Sequence, residues 1–241
     1  MKRPLPEEIT VSVTGLGNAV TYGPSKPSGE PCEAELPLLI FGAAGRTGRI
    51  LVEQAVAQGH QVTAFARDLK RLPAPHARLR LVQGSVEDAA AVSEAMRNQR
   101  AVFCALGPTG RKDREAIAQG TRNIVDAMRE HHVRRLIYMP YREQGNGWGP
   151  SALFEKLMGT LRTRKTPENW QHRVEVIRES PLEWVIVRPT RLTEGPAAKQ
   201  YQVSIDQSKV PLRISRADVA AFMLEQLRSP RFVRKSPVIG G

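Results

Sequence analysis

Cysteine is almost absent. Cys32 and Cys104 are the only two in 241 residues; one sits in a Pro/Glu-rich segment and the other in an apolar run. That excludes a disulfide framework and gives no metal-ligand spacing. No run approaches the roughly 18 apolar residues needed to cross a bilayer. The N-terminal MKRPLPEEITVSVTGLG lacks the apolar core of a secretory signal, so a soluble, cytoplasmic chain is expected. Aromatics are only 5% and are not interleaved with basic residues, which argues against nucleic acid as a partner despite a net charge of +12. The basic field still concentrates anionic small molecules such as dinucleotides and flavin phosphates. There is no internal repeat, and 241 residues call for no more than one core.

What is present is alternation. Residues 1 to about 35 hold five of the 18 prolines and show no period, which predicts a flexible extension. Thereafter LPLLIFG, HQVTAFAR, RLRLVQGS, RAVFCALG, RRLIYMP and EWVIVRP read as strands, separated by segments of helical composition. The strands are continuous apolar runs, as expected of strands buried on both faces. The spacing therefore predicts an α/β chain: a Rossmann-like, doubly wound parallel sheet over 36–241, with a small C-terminal substrate or lid region. The alternation is interrupted over 143–169 and 191–212, which become the candidate lids because ligands of such sheets lie beyond the carboxyl ends of the strands. The second of these segments reads as loop with a possible hairpin.

Gly42, Gly45 and Gly48 are spaced G-x-x-G-x-x-G between the first strand of this alternation and a helix over Thr47 to Gln58. A tight reversal, a close backbone approach to a diphosphate and a helix start with unpaired amides all require small residues there. Gly42, Ala44, Gly45, Arg46, Thr47 and Gly48 are thus candidate dinucleotide contacts. The next strand ends at Ala66-Arg67. Two guanidiniums, Arg46 and Arg67, suit a 2′-phosphate and favour NADP(H), whereas Asp68 directly after keeps NAD(H) as the alternative.

FGAAGRTGR, VTAFARD, VQGSVED, VFCALG, GTRNIVDAMREHHVRRLIYM, ESPLEWVIVRPTRLTEG and ISRADVAAFML occur in the order seen in atypical short-chain dehydrogenases/reductases. Over residues 37 to 228 the chain most resembles the NAD(P)H-binding branch that includes NmrA-like proteins and biliverdin/flavin reductases. The resemblance implies that Ser85 and Val86 lie at the adenine, although the family more often has Asp at the first of these positions. It also implies that Ala105, Leu106 and Gly107 line the dinucleotide, and that Pro189 and Thr190 sit near the nicotinamide.

That superfamily commonly protonates its product from a Tyr whose partner Lys is four residues on. Here the only such pair, Tyr22 and Lys26, precedes the glycine turn and is out of place. At the expected position LIYMPYREQG pairs Tyr138 with Arg142 and Tyr141 with Gly145, and arginine is a poor stand-in for the lysine. Tyr141 is the one weak candidate acid. A conjugated acceptor such as a flavin, quinone or linear tetrapyrrole needs positioning more than an acid. Trp148, Phe154 and Trp170 are candidates to stack such an acceptor, with Arg142 or Arg162 meeting its anionic groups. The leading expectation is an NADPH-dependent reductase of a conjugated small molecule. The alternative is a non-catalytic NADP(H)-binding redox sensor that acts through a protein partner.

Overall fold

A computed structural model describes residues 10–14, 19–22, 35–108, 113–140, 170–198, 200–205 and 210–241. In chain order the strands begin with β1 (Thr10–Thr14), β2 (Ala19–Tyr22) and β3 (Pro37–Phe41). Helix α1 (Arg46–Ala57), β4 (Gln61–Ala66), a 3-10 turn (Leu69–Arg71), β5 (Leu79–Gln83) and α2 (Ala89–Met96) come next. They are followed by β6 (Ala101–Cys104), α3 (Asp113–Glu130), β7 (Arg135–Tyr138), α4 (Trp170–Glu179) and β8 (Glu183–Ile186). The chain then runs through β9 (Arg188–Pro189), β10 (Arg191–Thr193), β11 (Gln200–Ser204), β12 (Arg213–Ser215), α5 (Arg216–Glu225) and β13 (Val238–Gly240).

The six apolar runs form one sheet in the order β5-β4-β3-β6-β7-β8, with every pairing parallel. The order reverses between β3 and β6, so the connections that leave these two strands run to opposite faces of the sheet and leave a crevice between them. Successive residues of each strand enter opposite layers because the side-chain period is two. Leu38, Ile40, Ala64, Phe103 and Ile137 pack with Leu51, Val52 and Ala55 of α1 and Val219, Ala220 and Phe222 of α5. Leu39, Phe41, Phe65, Val102, Cys104 and Tyr138 pack on the other face with Val92 and Met96 of α2, Ile124 and Met128 of α3 and Ile177 of α4. The parallel, doubly wound sheet is as expected.

The flexible extension does not hold for the whole of residues 1 to 35. Strands β1 and β2 are antiparallel partners, and β1 runs parallel to β11, pairing Thr10 with Gln200 through Thr14 with Ser204. TVSVT and AVTY lie between the prolines and are rich in β-branched residues, which suits them to a strand edge. They complete a second sheet, β2-β1-β11-β13-β9. The possible hairpin over 191–212 is likewise replaced: β10 pairs in parallel with β12, while β11 joins the second sheet between β1 and β13. Among the described residues no helix is long and apolar enough to cross a membrane.

Candidate functional site

Beyond the carboxyl ends of the strands, at the reversal between β3 and β6, lies a cleft of about 1080 Å³. Its floor is the glycine turn. Gly42 leaves β3 with φ +77°, and a Cβ there would stand 2.6 Å from the carbonyl oxygen of Ala105. The turn closes through the Gly45 amide donating to the Gly42 carbonyl at 2.9 Å. A Cβ on Gly48 would lie 2.0 Å from that same Gly42 oxygen, so only glycine lets α1 seat against the turn. Gly45 is the N-cap of α1 and provides no side-chain cap, which leaves first-turn amides facing the cleft at the positive end of the helix. Such a cradle suits a diphosphate, and the donors present fit a dinucleotide coenzyme.

At one end the lining is Ala66, Arg67, Asp68 and Arg71 from the end of β4 and the turn after it. Gly84, Ser85, Val86 and Glu87 after β5 and Asp113, Ala116 and Ile117 of α3 complete it. Arg67 pairs with Asp113 at 3.0 Å. The Asp68 carboxylate accepts from the Lys70 amide at 3.0 Å and so caps the 3-10 turn. Asn123 of α3, itself buried, donates to the carbonyls of Val86 at 2.8 Å and Glu87 at 3.0 Å. A Cβ on Gly120 would meet the Val86 side chain at 2.4 Å. Those two residues of GTRNIVD hold the loop that carries Ser85 and Val86, a role that their place in the sequence does not display.

The other end is formed by Leu106, Gly107 and Pro108 after β6, Met139 and Pro140 after β7, and Arg188 to Leu192 after β8. Arg188 is half-buried; burial first, and then the charge of Arg178, brings its pKa down to about 10. Thr190 brings a hydroxyl oxygen that is buried without a hydrogen-bond partner. Tyr138 is not part of this lining. It is buried on the α3/α4 face, where burial, and then the neighbouring Cys104, push its phenol up to about 12 against the opposing pull of Arg173.

All the sequence-derived coenzyme contacts line this cleft except Gly48, which lies buried beneath the turn. Arg46, Arg67, Ser85, Val86, Pro189 and Thr190 are thereby brought together from separate segments of the chain. The structure adds Arg71, Arg188 and Arg216, which the sequence motifs do not single out. Of these Arg71, a cation four residues after Arg67 and just ahead of a proline-rich loop, is the one with a local signal. Tyr141, Arg142, Trp148, Phe154, Arg162 and Lys26 lie outside the described residues, as does the side chain of Trp170; Tyr22 ends β2 in the second sheet.

The profile of a family described as NAD(P)H-binding matches residues 42–230. An uncharacterized chloroplastic protein of Arabidopsis thaliana is 27% identical over 205 residues, which covers 79% of this chain and 71% of that protein. A Veillonella parvula short-chain dehydrogenase/reductase in complex with NADP aligns at TM-score 0.69 and 24% identity, over 86% of this chain and 95% of that one. An Escherichia coli anaerobilin reductase aligns at TM-score 0.65 and 23% identity, over 85% and 96% of the two chains.

Proposed function

Because this chain belongs to the NAD(P)H-binding family, we propose that it is an NADP(H)-dependent oxidoreductase that passes hydride to a conjugated acceptor such as a flavin or quinone. The observation that carries this reading is the division of labour along the cleft. Its phosphate-binding turn is fully built. At the opposite end the described lining is Met139, Pro140, Pro189, Thr190 and Leu192 with the cations Arg188 and Arg191, and it includes no carboxyl, imidazole or phenol. The carboxylates that do line the cleft, Asp68, Glu87 and Asp113, are at the Arg67 end. An acceptor that spreads its new charge and takes its proton from water fits such surroundings.

The preference for NADP(H) is supported by Arg67 and Arg71 at the end of β4 and Arg46 in the turn, and by Asp68, whose carboxylate serves the Lys70 amide. The Veillonella neighbour in complex with NADP and the anaerobilin reductase are consistent with this reading. When bound, the coenzyme supplies the hydride. The chain's own part is to grip the diphosphate through the amides of the glycine turn and to keep Met139 and Pro189 against the reacting face. Arg188 and Arg191 draw in anionic acceptors. In this reading residues 36–241 are the coenzyme-binding unit, 143–169 and 191–212 its lids, and its setting the cytoplasm.

The test is to titrate purified protein with NADPH and NADH and follow nicotinamide absorbance with flavin mononucleotide, dichlorophenolindophenol and quinones. NADPH oxidation with at least one of these acceptors is expected. Tight NADPH binding without oxidation by any of them overturns the reductase in favour of a redox sensor that works through a protein partner. Binding of neither coenzyme overturns both.

A further inference from the structure

Glu194 follows β10 and reaches two guanidiniums that line the coenzyme cleft: Arg216, the first residue of α5, at 2.7 Å and Arg46, the first residue of α1, at 3.4 Å. The two ion pairs are unequal. The Arg46 side chain is 68% exposed and that of Glu194 65%, so their contact is screened by water and easily exchanged. The Arg216 side chain is only 8% exposed, and a desolvated guanidinium is held far more firmly by its counter-charge. A carboxylate and a phosphate ester offer arginine the same chemistry, a pair of anionic oxygens in one plane.

We propose that Glu194 determines coenzyme affinity as an internal competitor: its carboxylate holds Arg46 until a coenzyme phosphate takes that guanidinium, while Arg216 retains Glu194. The inference rests on the NADP(H) reading above and goes beyond it by naming a residue that opposes binding. The glycine turn supplies amides to the phosphate regardless. Arg46, by contrast, is available only in exchange for a contact within the protein. The exchange also ties the loop after β10 to the state of the turn, since Glu194 bridges the two only while Arg46 is its partner.

The experiment compares dissociation constants of NADPH, NADH and 2′,5′-ADP for the wild type, E194Q, and E53Q. Glu53 is exposed on α1 and outside the cleft lining, so E53Q makes the same change in net charge without touching either arginine. E194Q is expected to bind NADPH about three- to tenfold more tightly, with E53Q unchanged within about twofold. A gain for NADPH and 2′,5′-ADP but not NADH identifies the 2′-phosphate as the group that takes Arg46; an equal gain for NADPH and NADH identifies the diphosphate. Either supports the proposal. In an R46Q background the E194Q gain should vanish, as required if the two residues act through one contact. E194D keeps a counter-charge for Arg216 while withdrawing it from the longer contact, so it should show the same gain should E194Q fold poorly. Unchanged or weaker binding in E194Q and E194D, a gain matched by E53Q, or a gain that survives R46Q overturns it. Wild-type protein that binds neither coenzyme defeats the functional reading as well, whereas wild-type binding with no gain on substitution defeats this inference alone.

Discussion

Around the glycine turn the cleft is walled by backbone from a single stretch, Gly42 to Gly48, backed by the Ala105 carbonyl and closed by the Gly45–Gly42 hydrogen bond. At the far end Met139 and Pro140, and Arg188 to Leu192, arrive from the ends of two strands separated by a long stretch of chain. The first end is specified by steric necessity: a side chain at Gly48 would collide with a carbonyl oxygen that has nowhere to go. The second is specified by where side chains happen to meet, and substitutions there alter chemistry before they alter the fold. A superfamily can therefore keep the first end and vary the second, so that coenzyme class is shared more widely than the acceptor.

The strongest way to break this comparison is at the turn. Gly48→Val should lower stability by roughly 3 kcal/mol or more, read as a fall in denaturant midpoint, and abolish coenzyme binding, because the added Cβ meets backbone. Gly59→Ala is its counterpart. Gly59 has φ +88° with nothing within 4 Å of its missing Cβ, so only conformational strain opposes the change. It should cost about 1 kcal/mol and leave binding intact. If both substitutions behave alike, close approach is not what the turn requires. Next in size, Arg67→Ala should weaken NADPH about tenfold and NADH by less than about twofold, measured by fluorescence titration. Equal losses for both would place Arg67 away from the 2′-phosphate.

The same contrast governs what could be read from the sequence. The six central strands were legible because burial on both faces makes each an unbroken apolar run. The turn was legible because Gly42, Gly45 and Gly48 fall between a strand and a helix, where close backbone approach demands residues without a Cβ. The second sheet was not: β1 finds its partner β11 across the whole length of the domain, with Thr10 beside Gln200, and the prolines around β1 masked its β-branched core. Arg216 and Glu194 stand 22 residues apart and Arg46 and Glu194 stand 148 apart, so no window on the sequence displays that three-way contact. Asn123 and Gly120 sit in a helix with an ordinary amphipathic pattern; only the packing of Val86 against them reveals that they hold the loop of Ser85 and Val86.

A pH-dependent effect is expected beneath the Met139 end of the cleft. Cys104 is pushed from 9.0 to about 12 by burial, and Tyr138 from 10.0 to about 12 by burial and then by Cys104. Both stay neutral in the folded chain but ionise on unfolding above their ordinary values. The unfolded state therefore binds fewer protons at alkaline pH, and stability present below pH 9 is lost as pH rises toward 12. Each group contributes a slope of about 1.4 kcal/mol per pH unit once its unfolded form ionises. Denaturant midpoints taken between pH 8 and 11 should fall, and Cys104→Ala should make the fall shallower, starting near pH 9. A slope unchanged in that variant would mean the thiol is not held in its neutral form.

The smallest effect tests whether Tyr138 serves as an acid for the proposed reaction. Tyr138 is 1% exposed and belongs to the layer of Ile124 and Met128, while the next residue, Met139, lines the cleft. Adjacent positions face opposite ways, so the phenol and the Met139 side chain are on different sides of the sheet. Tyr138→Phe should therefore keep kcat with a conjugated acceptor within about twofold, while loss of its polar contact costs about 1 kcal/mol of stability. General acid catalysis is worth about 100-fold or more. A fall in kcat of that size in a variant that still binds NADPH normally would make Tyr138 the proton donor. It would also overturn the proposal that protonation at the Met139 end of the cleft is left to water.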